Sequence, residues 1–105
     1  AFFEALRPGR SAADVDRVGR EAFTRNTAPL HGCSGKLYHT HGIGLTAHES
    51  PRFPSDTVIE PGVVIACESL VTGGFGVVGA EDNVIVTKNE LEFVTTPQDP
   101  LFVIE

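Results

Sequence analysis

Cysteine is scarce in this chain. Two residues out of 105, Cys33 and Cys67, are too few to staple a fold of this size. Reduced thiols are the default reading, and they point to a cytoplasmic protein rather than a secreted disulfide scaffold. Basic charge is also thin. Eight Lys and Arg stand against 14 Asp and Glu, for a formal net charge of −6. The basic residues are spread out, which argues against a nucleic-acid interface built on a basic patch. No apolar run approaches the ~18 residues that a membrane-spanning helix needs, so no membrane segment is expected. The opening "AFFEALRPGR" has neither the basic stretch nor the cleavage site of a signal peptide. It lacks an initiator Met and enters a helix-like pattern at once, as expected of a piece from within a longer protein.

What is present suits one domain with a modest core: 41% of residues are apolar and 21% charged. Phe2, Phe3 and Leu6 share one helical face, and Pro8-Gly9 ends that helix at 1–7. Ser11 stands three residues before Asp14, a weak capping signal. Val15, Val18, Ala22 and Phe23 then follow at helical spacing, which predicts a helix over 12–26. Gly19 costs that helix about 1 kcal/mol relative to Ala, but permits close packing against a sheet. Residues 26–36 and 49–62 read as loops, the second for its three prolines and a Pro61-Gly62 turn. From 63, "VVIACESLV" reads as a buried strand. Gly-rich connections, a strand over 81–87 and a return strand "LEFVT" (91–95) across Lys88-Asn89-Glu90 follow. The tail from Thr96 reads as extended. Two helices followed by four or five strands give an α+β fold with an antiparallel or mixed sheet.

The chemistry gathers in "YHTHGIGLTAHESP" (38–51), which holds three of the four histidines. His39 and His41 are two apart, so on a strand they share a face. A cupin-like metal site would want a carboxylate a few residues on. The next one, Glu49, comes eight after His41 with two glycines between, and fits poorly. The alternative pairs His41 with carboxylates from other strands. Glu68 sits inside an apolar run, where a carboxylate is costly unless paired or metal-bound. Glu81 opens "EDNVIVT". Plain structural roles exist for both, an Arg or backbone partner for Glu68 and a strand-end position for Glu81. One His with two carboxylates is a mixed ligand set that suits Mn²⁺, Fe²⁺, Co²⁺ or Zn²⁺. Cys67 neighbours Glu68 and should face the other way. The helical H-E-x-x-H zinc motif is absent, because position 52 is Arg. His48 is therefore a free imidazole, suited to donate to a polarised carbonyl, or simply a loop histidine facing water.

"HGIGLTAHESP", "EPGVVIACESL" and "GAEDNVIVT", in that order, resemble the C-terminal catalytic half of the pita-bread metallopeptidases. That superfamily includes Xaa-Pro aminopeptidases, prolidases, methionine aminopeptidases and the non-peptidase creatinases. The helix "ALRPGRSAADVDRVGREAF" resembles the one that precedes these motifs, and the resemblance runs from about 1 to 96. It implies two divalent metal ions, Mn²⁺ first, with Co²⁺, Zn²⁺ or Fe²⁺ as alternatives, held by two Asp, one His and two Glu. Carried over by motif, His41, Glu68 and Glu81 are the ligands. His48 contacts the substrate and supports the oxyanion, and Glu68 also carries the proton. The family activates a bridging water to attack the scissile carbonyl. Tyr38 is expected on the pocket wall as a substrate-binding residue, and His39 in a supporting role.

The departures matter as much. The two aspartates have no counterpart: Asp14 and Asp16 fall on the helix, and Asp56, Asp82 and Asp99 lie outside a matching motif. This chain therefore supplies three of five ligands and should bind metal weakly alone. Residues 1–105 are expected to be the C-terminal part of the catalytic domain, lacking its N-terminal half as a partner. Gly79 stands where many Xaa-Pro enzymes carry Arg, the segment between Glu68 and Glu81 is short, and Thr40 replaces a frequent glycine. The readings are a fragment of an Xaa-Pro-type aminopeptidase or dipeptidase acting on peptides, a non-peptidase relative acting on a small molecule, or a metal-free binding module. A half-sheet should leave an uncovered edge and exposed apolar surface. The isolated chain should then be poorly soluble or oligomeric, and the intact protein a homo-oligomer.

Overall fold

Two helices open the chain and lie on one side of a five-stranded sheet. The computed structural model describes residues 1–96, so the expected extended tail lies outside the described residues beyond Thr96. The first helix, α1 (Phe2–Ala5), is a single turn, shorter than the 1–7 expected, and Gly9 turns the chain with φ of 88°. The second, α2 (Ala12–Thr27), starts where the Ser11 cap placed it: the Asp14 N–H donates to Ser11 Oγ at 3.1 Å. At its end Thr27 Oγ1 donates to the Phe23 carbonyl at 2.8 Å. Among the described residues no helix is long and apolar enough to cross a membrane.

The strands are β1 (Cys33–Ile43), β2 (Glu49–Arg52), β3 (Val64–Gly73), β4 (Gly76–Val86) and β5 (Leu91–Phe93). Their spatial order is β2-β1-β3-β4-β5, and every neighbouring pair is antiparallel. Three expectations need correcting. The loop over 26–36 gives way to strand at Cys33, because Lys36, Gly35 and Cys33 pair with Val71, Thr72 and Gly73. Part of the 49–62 loop is β2, an edge strand that accommodates Pro51 in the irregularity between the His41–Arg52 and Gly42–Glu49 pairs. The strand expected over 81–87 begins at Gly76, so Glu81 lies mid-strand rather than at its opening. Val77 and Val78 pair with Thr72 and Val71, and that pairing outweighs the glycine-rich composition that reads as loop.

Alternation gives the sheet two unlike faces. One carries Tyr38, Ile65, Val84 and Val86, which pack with Phe2, Leu6, Val15 and Ile59 into the core. Several of these are fully buried, and each such aliphatic side chain contributes roughly 1.5–3 kcal/mol. Gly19 is what lets α2 come this close. A Cβ there would collide with the Tyr38 hydroxyl and stand 2.9 Å from Phe2 Cδ2. Arg20 fastens the contact. It grips the buried Asp16 with two bonds, of 3.1 and 3.0 Å, and lies 5.3 Å from the Tyr38 ring centre. The thiol of Cys67 also lies on this side, 4.0 Å from the Tyr38 hydroxyl, and burial pushes both their pKa values up. Both cysteines are free.

The other face has no helix over it among the described residues. The rim is bare as well. In register, β2 pairs only with His41 and Gly42 of β1, and β5 only with residues 84–86 of β4. Leu37, Val77 and Val78 are each more than half exposed. This matches the uncovered edge and apolar surface expected of a partial sheet.

Candidate functional site

The open face holds the polar residues that the sequence singles out. His39, Glu68 and Glu81 are direct partners across β1, β3 and β4, and so form one row. The next row is His41, Ala66 and Asn83. Residues in register across antiparallel strands point to the same side, so His41, Glu68 and Glu81 share this face. Cys67 faces the core instead, in register with Thr40 and Asp82.

Glu68 and Glu81 form the least comfortable pair. Like charges directly opposite each other on neighbouring strands are destabilising. Among the described residues the ion pairs are Ala1–Glu4, Arg17–Glu21 and Arg20–Asp16, and none involves either glutamate. The Arg partner considered for Glu68 is therefore not what the fold provides. Two facing carboxylates without a cationic neighbour are a natural seat for a divalent ion.

His41 is prepared differently. It is buried, and its Nδ1 lies 3.1 Å from the Gly42 carbonyl oxygen. A carbonyl can only accept, so Nδ1 donates, and in the neutral ring Nε2 is the nitrogen with the lone pair. Metal-ligating histidines are commonly held this way. By type, one imidazole and two carboxylates suit a divalent metal, but His41 lies one row away from the carboxylates, and among the described residues the three such side chains brought together are His39, His41 and His48.

His48 reaches the same face from the turn between β1 and β2. That turn is closed by Glu49, whose carboxylate accepts from the Thr46 N–H at 3.1 Å and from Thr46 Oγ1 at 3.2 Å. Gly42 lets β2 approach, since a Cβ there would collide with the Ser50 carbonyl and stand 2.8 Å from Pro51 N. The result lays the His48 ring 4.1 Å from His41, centre to centre, and nearly parallel to His39 at 5.6 Å. A cleft of about 400 Å³ opens here, walled also by Arg52, Phe53 and Pro54. Glu68 and Glu81 line a separate shallow groove with Ser69, Gly79 and Ala80.

Tyr38 does not join them. Strand alternation turns it beneath α2, where it is buried, so the pocket-wall position expected for it lies on the wrong side of β1. Sequence reasoning also missed residues on the open face. Asn83 shares Glu81's parity on β4, and its buried Oδ1 has no hydrogen-bond partner. Its place two residues after Glu81 was the available signal. Arg52 and Phe53 had none, because their position depends on how the turn folds.

Comparison with known proteins follows the same lines. Residues 1–88 match the profile of metallopeptidase family M24. The chain is 32% identical over 103 residues to an Xaa-Pro dipeptidase of Pyrococcus furiosus, covering 93% of this chain and 28% of that protein. It is 36% identical over 95 residues to the probable dipeptidase PepE of Mycobacterium tuberculosis, covering 85% of this chain and 24% of that one. Among solved structures, the prolidase from Pyrococcus furiosus superposes with a TM-score of 0.70 at 31% identity, over 93% of this chain and 29% of that one. An Xaa-Pro dipeptidase from Bacillus anthracis superposes with a TM-score of 0.74 at 29% identity, over 98% of this chain and 29% of that one. The chain thus spans little more than a quarter of the length of these relatives.

Proposed function

The chain belongs to metallopeptidase family M24 and carries part of its pita-bread fold, and from that premise we propose that it forms the His–Glu–Glu portion of a dinuclear Xaa-Pro aminopeptidase or dipeptidase centre. The observation that carries this reading is the unpaired Glu68–Glu81 couple on the same face as His41. His41 Nε2 and the two carboxylates would hold the ions, with Mn²⁺ as the first choice. When bound, such ions polarise the scissile carbonyl and lower the pKa of a water.

The remaining roles fall to side chains of this chain. His48, on an exposed turn, donates a hydrogen bond to the substrate carbonyl oxygen as charge develops there. Glu68 takes the proton from the attacking water and delivers it to the leaving amine. The two further carboxylates come from the rest of the catalytic domain, in line with the quarter-length coverage of the relatives. The intact protein, supplied with Mn²⁺ and given a panel of Xaa-Pro and non-proline peptides, should turn over the Xaa-Pro members. Failure on every peptide would sink the reading.

Gly79 favours a second reading. A Cβ there would make only ordinary contacts, 3.4 Å from the Ser69 carbonyl and 3.7 Å from Leu70, so a side chain would fit, yet the groove lined by Glu68 and Glu81 carries no cationic group. A non-peptide substrate, as in creatinase-type relatives, would use that space. A protein that binds Mn²⁺, ignores the peptide panel and hydrolyses a small amidine or urea compound would support it.

A further inference from the structure

His39, His41 and His48 form a group of their own. Each offers a ring nitrogen, these lie within 4.8 Å of one another, and among the described residues no other three His, Cys, Asp or Glu come so close. We propose that these three residues form a further, mononuclear tri-histidine metal site for a late first-row cation such as Zn²⁺ or Co²⁺. It goes beyond the dinuclear reading. It requires neither glutamate nor any residue outside this chain; it shares His41 with that centre, and since one Nε2 lone pair holds one ion, the two sites are filled in turn rather than together.

The ligand type suits such ions, since neutral imidazole is preferred by the later divalent metals. The spacing suits them after a small closure. Zn–N bonds of 2.0–2.1 Å put tetrahedral nitrogens roughly 3.3 Å apart. The present separations must therefore shrink by about 1.5 Å at most. His41 need not move, because its bond to the Gly42 carbonyl already aims Nε2 outward. His48 is exposed on its turn and His39 only half-buried, so both have rotamer freedom to close. The fourth position opens into the cleft beside Arg52, whose guanidinium favours an anion or a water there over a second cation.

A consequence concerns His48, which the peptidase reading reserves for the substrate carbonyl. A cation held by the three imidazoles withdraws it, so excess Zn²⁺ should suppress peptide turnover in the intact protein.

The test is a titration of the metal-stripped intact protein with Co²⁺, read in its visible spectrum, and with Zn²⁺ in competition. Circular dichroism checks the fold of each variant. A single ion with the strong visible bands of tetrahedral nitrogen ligation is expected. His39→Gln and His48→Gln should each weaken binding at least about tenfold. His31→Gln, at an exposed histidine outside the group, should change it by less than about twofold. His48 sits on an exposed turn, so its loss cannot act by unfolding the core. Affinity that depends on Glu81 and not on His39 would overturn the proposal, as would a folded chain that binds no ion. Failure of the peptidase reading shows separately, in turnover by the intact protein.

Discussion

The two faces of this one sheet are built on opposite principles. Beneath α2 most partners are supplied: Tyr38, Ile65, Val84 and Val86 meet Phe2, Leu6 and Val15, and the buried Asp16 is met by Arg20, while Thr40 Oγ1 and Asp82 Oδ1 are left without a hydrogen bond. On the far side, two carboxylates face each other unpaired, Asn83 Oδ1 has no partner, and three imidazoles crowd one corner. The first face holds the fold together by itself. The second is costly until something else binds to it. What sets the open face apart is the kind of group left unpaired there, two carboxylates and three imidazoles that can all ligate a cation.

If that contrast is right, substitutions on the two faces should separate cleanly. The largest effect belongs to the open face. Glu68→Gln in the intact protein should cut kcat for an Xaa-Pro peptide by about a thousandfold, roughly 4 kcal/mol of activation energy, with no loss of thermal stability. Steady-state kinetics beside a melting curve would show it, and a fall in both would blur the division. Next comes the closed face. Ile65→Ala should destabilise the chain by about 2–5 kcal/mol in urea, yet leave Co²⁺ ligation unchanged in whatever fraction stays folded. Gly19→Ala is smaller, about 1–3 kcal/mol of overpacking against Tyr38. A stabilised Gly19→Ala chain would mean that α2 does not sit as close as described. Smallest is Glu81→Gln without metal. Removing one of two facing like charges should raise stability by roughly 0.2–1 kcal/mol, and added salt should shrink the gain. A destabilised variant would mean that Glu81 has a partner on this face after all.

The sequence made much of this legible. Ser11 and the spacing of Val15, Val18 and Phe23 placed α2 within a residue of its ends. The return across Lys88-Asn89-Glu90 is there, closed by Thr87 Oγ1, which donates to the Glu90 carbonyl at 2.7 Å. The placing of His41, Glu68 and Glu81 on one side was in reach, because the motif order and strand alternation both bear on it. What escaped depended on pairing rather than composition. Cys33–Lys36 and Gly76–Ala80 look like loops, yet each lies against β3, which supplies the hydrogen bonds that hold them extended. The pocket-wall expectation for Tyr38 rests on adjacency to His39 in sequence, which on a strand means opposition in space. The approach of His48 to His39 was invisible too, since it hangs on the Glu49–Thr46 bonds that shape the turn.

The notch at Gly19 has a reach beyond its own helix. The Tyr38 hydroxyl fills that notch, and His39 is the next residue on the same strand, pointing the other way. The tyrosine therefore works as a spacer of fixed thickness between α2 and β1. A thicker contact at residue 19 would lift β1 and, with it, the angle between the His39 and His41 rings, now 48° at 5.1 Å between centres. A position with no side chain, hidden on the far side of the sheet, thereby tunes the bite of a pair of imidazoles that it never touches.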